Sequence, residues 1–314
     1  MENSKLISIV VPCFNEEEAL PIYYNAILPV LNQINQKYEI IFVDDGSKDK
    51  TPNIIKEYAE LNSNIKYIIF SRNFGKEAAM YAGLSNAKGD LVAVMDVDLQ
   101  DPPEKLIEMY NYIEKDNYDC VATRRITRKG EPKIRSWFAR RFYKLINKWS
   151  QTEVVDGARD FRLMTRKMVD AILSMHERNR FSKGIFSFVG FKTKWLEYEN
   201  VQRSAGVTKW NFKQLFVYAI DGIIAFTLMP LYLIIQLGLG LMCLTFLGTI
   251  TLAVLEICSI HCFEPWVILL LSMCFLTSIV IICMGIIAMY VAKTYMETKQ
   301  RPIYMEKESN LKHD

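Results

Sequence analysis

The chain has 314 residues, 51% hydrophobic, 12% aromatic and 23% charged, and 38 Lys and Arg against 35 Asp and Glu leave a net charge of +3. This balance excludes a disordered chain and a collagen-like repeat, and it gives no electrostatic case for nucleic acid. The 7 Cys include no C-x-x-C pair, which excludes zinc spacing and favours a reduced compartment.

Short β-branched runs occur at residues 7–11, 39–43, 66–70, 91–95 and 120–123, with amphipathic stretches between them. The first run continues directly into Pro12, so it reads as a strand and not as a signal peptide. Thr51 before Pro52 predicts an N-cap with proline at the first helical position, and Ile54, Ile55, Tyr58 and Leu61 follow at helical spacing. Asp101-Pro102-Pro103-Glu104 opens a second such stretch, with Leu106, Ile107, Met109, Tyr110 and Ile113. The alternation predicts an α/β fold: a parallel sheet with helices on both faces, and ligand sites at the carboxyl ends of its strands.

Polar clusters fall at those ends. The first strand ends in Pro12-Cys13-Phe14-Asn15-Glu16, the second in Asp44-Asp45-Gly46-Ser47, the fourth in Asp96-Val97-Asp98-Leu99-Gln100-Asp101. Any one of them alone reads as turn chemistry. Together they make a site of negative potential that calls for a hard divalent cation, Mg²⁺ or Mn²⁺. In an extended segment Asp96, Asp98 and Gln100 share one face. A metal there would neutralise a diphosphate leaving group.

A basic stretch follows. Residues 124–148 hold ten Lys or Arg and one acid, with Ile134, Trp137, Phe138, Phe142, Leu145, Ile146 and Trp149 at helical spacing. Such a helix suits an anionic membrane surface or a lipid phosphate. Residues 156–164 and 202–210 mix charge, glycine and aromatics as binding loops do. Residues 222–255 and 265–292 then carry no charge, so all 73 charges lie among the other 252 residues, about 29% of them. Each run is long enough to span a bilayer. The linker 256–264 has no Lys or Arg, whereas residues 293–301 are basic, which places both termini and the polar part in the cytoplasm.

Taken together, these motifs resemble the family 2 glycosyltransferases with a GT-A (Rossmann-like) fold. Within them the chain is similar to the polyprenyl-phosphate glycosyltransferases, which include dolichol-phosphate mannose synthase and bactoprenol glucosyltransferases. The residues that carry the likeness are 10–16, 43–47, 71–76, 96–104, 160–164 and 203–209, in the family's order. The resemblance implies a nucleotide-sugar donor, with a UDP-sugar favoured, a polyprenyl-phosphate acceptor, a bacterial inner membrane and a homo-oligomer, a tetramer. It implies that Pro12, Phe14, Glu16, Asp44 and Asp45 line the nucleoside pocket. Asp96, Asp98 and Gln100 would hold the metal and the donor diphosphate, and Arg203 and Lys209 would close over that diphosphate. Arg124, Arg135 and Arg140 would bind the acceptor phosphate. Asp160 matches an acidic position discussed as catalytic, beside Asp98. The absence of a Gln-x-x-Arg-Trp motif argues against a processive polysaccharide synthase. A lipid or polymer hydroxyl is the alternative acceptor, and it would require a true base. The implied division is a GT-A domain at 1–211, an interfacial helix at 212–228, a two-helix transmembrane hairpin at 229–257 and 265–292, and a cytosolic tail at 293–314.

Overall fold

The computed structural model describes residues 4–125, 147, 155, 157–178, 180–198, 220, 229–257 and 265–311. It separates into two units, Met1–Gly222 with Arg301–Asp314, and Ile223–Gln300.

The first unit is built on one eight-stranded sheet in the order β7-β5-β6-β4-β1-β2-β3-β8. The strands are β1 (Leu6–Cys13), β2 (Lys37–Asp44), β3 (Ile65–Phe70), β4 (Leu91–Val94), β5 (Cys120–Arg125), β6 (Ala158–Thr165), β7 (Thr193–Tyr198) and β8 (Glu306–Ser309). The helices are α1 (Ala19–Ile34), α2 (Thr51–Leu61), α3 (Lys76–Asn86), α4 (Lys105–Asp116), α5 (Arg166–Leu173) and α6 (Ser182–Phe188). The central strands are buried on both faces, which explains why they read as unbroken apolar runs. Ile7, Ile9 and Val11 pack with Leu20, Tyr23 and Ile27 of α1 and Leu106 and Met109 of α4. Val10 faces the other way, toward α3. That approach is so close that a Cβ on Gly83 would lie 2.2 Å from Val10 Cγ1.

The sheet departs from the all-parallel expectation. β1 pairs in parallel with β2 and β4, and β2 with β3. β6 is antiparallel to both β4 and β5, and β8 is antiparallel to β3. The chain crosses from β4 through α4 to β5, which runs the same way, and β6 then returns antiparallel between the two. One consequence governs the site. The start of β6 lies at the same edge as the carboxyl ends of β1 to β5.

Two local expectations also change. Thr51 is the first residue of α2 and makes no side-chain cap; its hydroxyl instead accepts from Glu16 N at 2.8 Å. The segment after β4 is not extended. The strand stops at Val94, and Leu99 adopts a left-handed φ of 51°. A turn therefore breaks the alternation that would have placed Asp96, Asp98 and Gln100 on one face.

The second unit contains α7 (Met229–Ile257) and α8 (Pro265–Thr298). Among the described residues one helix is long and apolar enough to cross a membrane, Phe275–Thr298, and Pro230–Leu241 is a shorter apolar stretch. Many of the large apolar side chains described here are exposed, including Leu244, Leu269 and Ile281.

Candidate active site at the carboxyl edge

The strand order reverses between β1 and β4, because β2 and β3 lie to one side of β1 and β4 to the other. Ligands in open α/β sheets bind beside such a reversal. Pro12 sits in β1 opposite Val43 of β2. β4 has already ended on the other side, so its missing N–H breaks no ladder there.

The next residues form a hydrogen-bonded loop. Asn15 N donates to Ser47 Oγ at 2.7 Å, and Lys48 N donates to Asn15 Oδ1 at 2.8 Å. These bonds tie the β1 end to the β2 end. Gly46, at φ 69°, lets the β2 end also approach the segment after β3: a Cβ there would meet Arg72 C at 2.4 Å. Phe14, Asp44, Gly46, Ser47 and Arg72 share the lining of a cavity of about 720 Å³.

Asp44 and Asp45 are buried. Asp44 Oδ2 accepts from Ser47 N at 3.1 Å, while its Oδ1 is buried with no hydrogen-bond partner. Burial pushes the Asp44 carboxyl above its ordinary value. Asp45 accepts from Phe74 N at 2.6 Å and from Gly75 N at 2.9 and 3.1 Å. Burial outweighs those donors and pushes its carboxyl up to about 6.

A second group has the opposite electrostatics. Val94 pairs with Arg162 across the β4–β6 ladder. Two steps further along each antiparallel chain bring Asp96 and Asp160 together. Lys76, at the start of α3, lies between them. Its Nζ is 2.7 and 2.9 Å from the two oxygens of Asp96 and 2.5 Å from Asp160 Oδ2. Burial would raise the Asp160 carboxyl; Lys76 first, then Lys183 and Arg162, outweigh it and hold the group well below its ordinary range. Burial likewise opposes the charge on Lys76, and the two aspartates keep it protonated. The side chains of Asp96 and Asp160 keep 21% and 16% of their surface, so a ligand can reach them.

Residues that the motifs alone did not assign hold this group in place. Arg159 Nε donates to both Asp101 oxygens at 3.1 and 3.2 Å, and its Nη2 reaches Gln100 Oε1 at 3.3 Å. Tyr198 OH also donates to the buried Asp101. Arg162 donates to the carbonyls of Asp160 and Arg159 and lies 3.6 Å above the Phe186 ring. Glu77, raised by burial, accepts from Ser182 N and Oγ. Lys76 stood inside the motif at 71–76 and Arg159 directly before the one at 160–164, and only the fold shows which acids they meet.

The other expected residues distribute as follows. Glu16 N is held by Thr51 and its carbonyl accepts from Leu20 N at 2.9 Å. Asp98 Oδ1 accepts from Gln100 N at 3.2 Å, closing the turn after β4. Arg124 is half-exposed at the end of β5 and pairs with Glu197 of β7. Arg135, Arg140, Arg203 and Lys209 lie outside the described residues, as do most of the basic stretch and of the interfacial segment. Among the described residues no three His, Cys, Asp or Glu side chains form a metal-holding group. Asp96, Asp98 and Gln100 carry hard oxygens, the donor type that Mg²⁺ or Mn²⁺ takes, while Lys76 meets both Asp96 oxygens and Arg159 the Gln100 amide oxygen.

Residues 8–173 match the model of glycosyl transferase family 2. The chain belongs to that family. It is a glycosyltransferase with a GT-A-like α/β fold and a mixed sheet. The putative glycosyltransferase CsbB of Bacillus subtilis is 40% identical over 306 residues, 98% of this chain and 92% of that one. A prophage bactoprenol glucosyl transferase homolog of Escherichia coli is 40% identical over 303 residues, 96% of this chain and 98% of that one. Among solved structures, the mannosyltransferase PcManGT of Pyrobaculum calidifontis, in complex with GDP-Man and Mn²⁺, is 15% identical with a TM-score of 0.45. That likeness covers 71% of this chain and 63% of the other.

Proposed function

We propose that this family 2 glycosyltransferase moves one hexosyl group from a nucleotide-sugar, a UDP-sugar, to undecaprenyl phosphate at the cytoplasmic face of a bacterial inner membrane. The observation that carries the reading is the reach of the Escherichia coli similarity. It runs through 96% of this chain and so takes in the apolar helices as well as the catalytic sheet.

The acceptor phosphate oxygen attacks the anomeric carbon, the bond from that carbon to the donor diphosphate breaks, and the configuration inverts. The second pKa of a phosphate monoester is about 6, so the nucleophile is already largely ionised near neutrality. The electrostatics of Asp160 agree with this. A carboxylate paired with Lys76 and held well below its ordinary range is a weak base. A hydroxyl acceptor would need a stronger one. Asp160 and Lys76 instead organise charge around the diphosphate. Asp96 and Asp98, with Gln100, would hold the divalent cation, which when bound neutralises the leaving diphosphate. Pro12, Phe14, Glu16, Asp44 and Asp45 would take the nucleoside. Arg203 and Lys209 would close over the diphosphate, and Arg124, Arg135 and Arg140 would draw in the lipid phosphate.

The last strand supports the membrane topology. β8 pairs with β3, so the chain returns to the catalytic sheet after the apolar segment. A segment that leaves a domain and rejoins it crosses a bilayer an even number of times. Two spans, at 229–257 and 265–292, with an interfacial helix at 212–228 and a cytosolic tail at 293–314, meet that condition. Self-association as a tetramer belongs to the same reading.

The test is Asp98→Ala in purified full-length enzyme, assayed with labelled UDP-sugars and undecaprenyl phosphate. Transfer is expected to fall by roughly 100-fold or more, the scale of losing one electrostatic stabiliser. Near-normal transfer by the variant would sink the metal role, and transfer only to a hydroxyl lipid would sink the acceptor.

A further inference from the structure

The strand that follows the apolar helices does more than cover a sheet edge. β8 pairs Ile68 with Ser309, Ile69 with Glu308, and Phe70 with Glu306. Lys307 is left between the last two pairs as the extra residue of a β-bulge. In a regular strand Lys307 and Glu308 would point to opposite faces. The bulge re-aims one of them, and both line the cavity of about 720 Å³ that also contains Phe14, Asp44 and Arg72.

The segment is firmly anchored. Ser71 N donates to Met305 O at 2.9 Å, Tyr67 N donates to Asn310 Oδ1 at 2.8 Å, and Asn310 Nδ2 donates to Ile65 O at 3.1 Å. Tyr304 stacks on Phe70, ring centroids 4.8 Å apart. Glu308 is taken up by Lys56 at 2.6 Å and by Tyr67 OH at 3.2 Å. Glu308 thereby offsets the charge of Lys56. Lys48, Arg72 and Lys307 remain as further cations of the lining.

The cavity has the size and chemistry of a nucleotide site. Phe14 offers a ring for stacking. The orphaned Oδ1 of Asp44 is an acceptor awaiting an N–H, as a planar nucleobase provides. The cations suit an anion attached to that base. We propose that the C-terminal strand is a working part of the donor site, and that Lys307, presented by the bulge, is a positioning residue for the nucleoside diphosphate of the donor. This rests on the nucleotide-sugar reading and extends it to a segment separated by the apolar helices from the rest of the pocket. The segment contributes to holding the donor; the bond-breaking step belongs to the Asp96–Asp160 group.

The experiment uses full-length enzyme in detergent with Mg²⁺. UDP and GDP binding is measured by calorimetry, and kcat and KM are measured separately for the donor and the lipid phosphate. Lys307 is exposed, so its substitution leaves the core intact. Lys307→Ala is expected to weaken nucleoside diphosphate binding and raise donor KM about five- to tenfold, the scale of one partly exposed charged hydrogen bond. The kcat and the KM for the lipid should stay within about twofold on the same basis. Lys307→Arg should restore most of the affinity, and Lys307→Glu should weaken it further than alanine. Equal nucleotide affinity in wild type and Lys307→Ala overturns the inference. A wild-type enzyme that binds neither UDP nor GDP overturns the donor reading beneath it, a distinguishable failure.

Discussion

The carboxyl edge of the sheet holds two pairs of aspartates in opposite electrostatic states. Asp44 and Asp45 are buried among backbone N–H groups, and burial raises both, Asp45 to about 6. Asp96 and Asp160 share the ammonium of Lys76, and Asp160 is held well below its ordinary range. Residue type does not distinguish the pairs. The difference lies in what stands opposite them: peptide dipoles for one pair, a lysine for the other. The first environment suits a neutral, planar ligand edge that donates hydrogen bonds. The second suits a reaction centre in which charge is redistributed.

The sharpest way to break the contrast is Lys76→Ala. It leaves two carboxylates facing each other without their shared cation. Transfer is expected to fall by roughly 100- to 1,000-fold, as for loss of a preorganised charge at a reaction centre. Lys76→Arg should recover part of that loss in the same steady-state assay. A variant with full activity would show that the ion pairs are only structural.

The opposite pair is tested through pH. The Asp45 carboxyl titrates near 3.8 when unfolded and about 6 when folded, so the folded state binds its proton more tightly. Stability from this group is therefore present at low pH and is lost as pH rises from 4 through 6. Asp45→Asn removes that slope. Between pH 4 and pH 7 the wild type should lose on the order of 2 kcal/mol more than the variant, read from thermal melts in detergent. Parallel pH profiles would show that folding leaves the Asp45 carboxyl at its ordinary value.

The smallest effect is expected from Tyr304→Ala, which removes the stack on Phe70 beside the Asp44 pocket. Such a contact contributes about 1 kcal/mol. Donor KM should rise by at most about fivefold on that basis, with kcat unchanged. An equal fall in kcat would mean that the tail also serves the Lys76 end.

Much of this was legible from residues alone, for identifiable reasons. Continuous apolar runs such as Ile7–Val11 announce strands buried on two faces, and the helices after Thr51 and Asp101 follow from spacing. The polar ends Asp44-Asp45 and Asp96-Asp98 fall at the carboxyl edge, where ligands collect in sheets of this kind. β6 was not legible: its residues read as part of a binding loop at 156–164 but form the strand Ala158–Thr165, and a strand's orientation leaves no trace in its side-chain period. The turn after Val94 was also missed, because one left-handed residue, Leu99, undoes an alternating pattern.

By itself, then, the sequence determined the family, the α/β alternation, the acidic edge and the separation of a charged domain from apolar helices. These are properties of local pattern and composition. Tertiary structure alone decided the partners. It set Asp160 opposite Asp96 by running β6 backwards, placed Lys76 between them, and brought Lys307 to the pocket of Phe14 and Asp44. Hydrogen bonds and ion pairs join residues up to hundreds of positions apart, and no local period records where those residues meet.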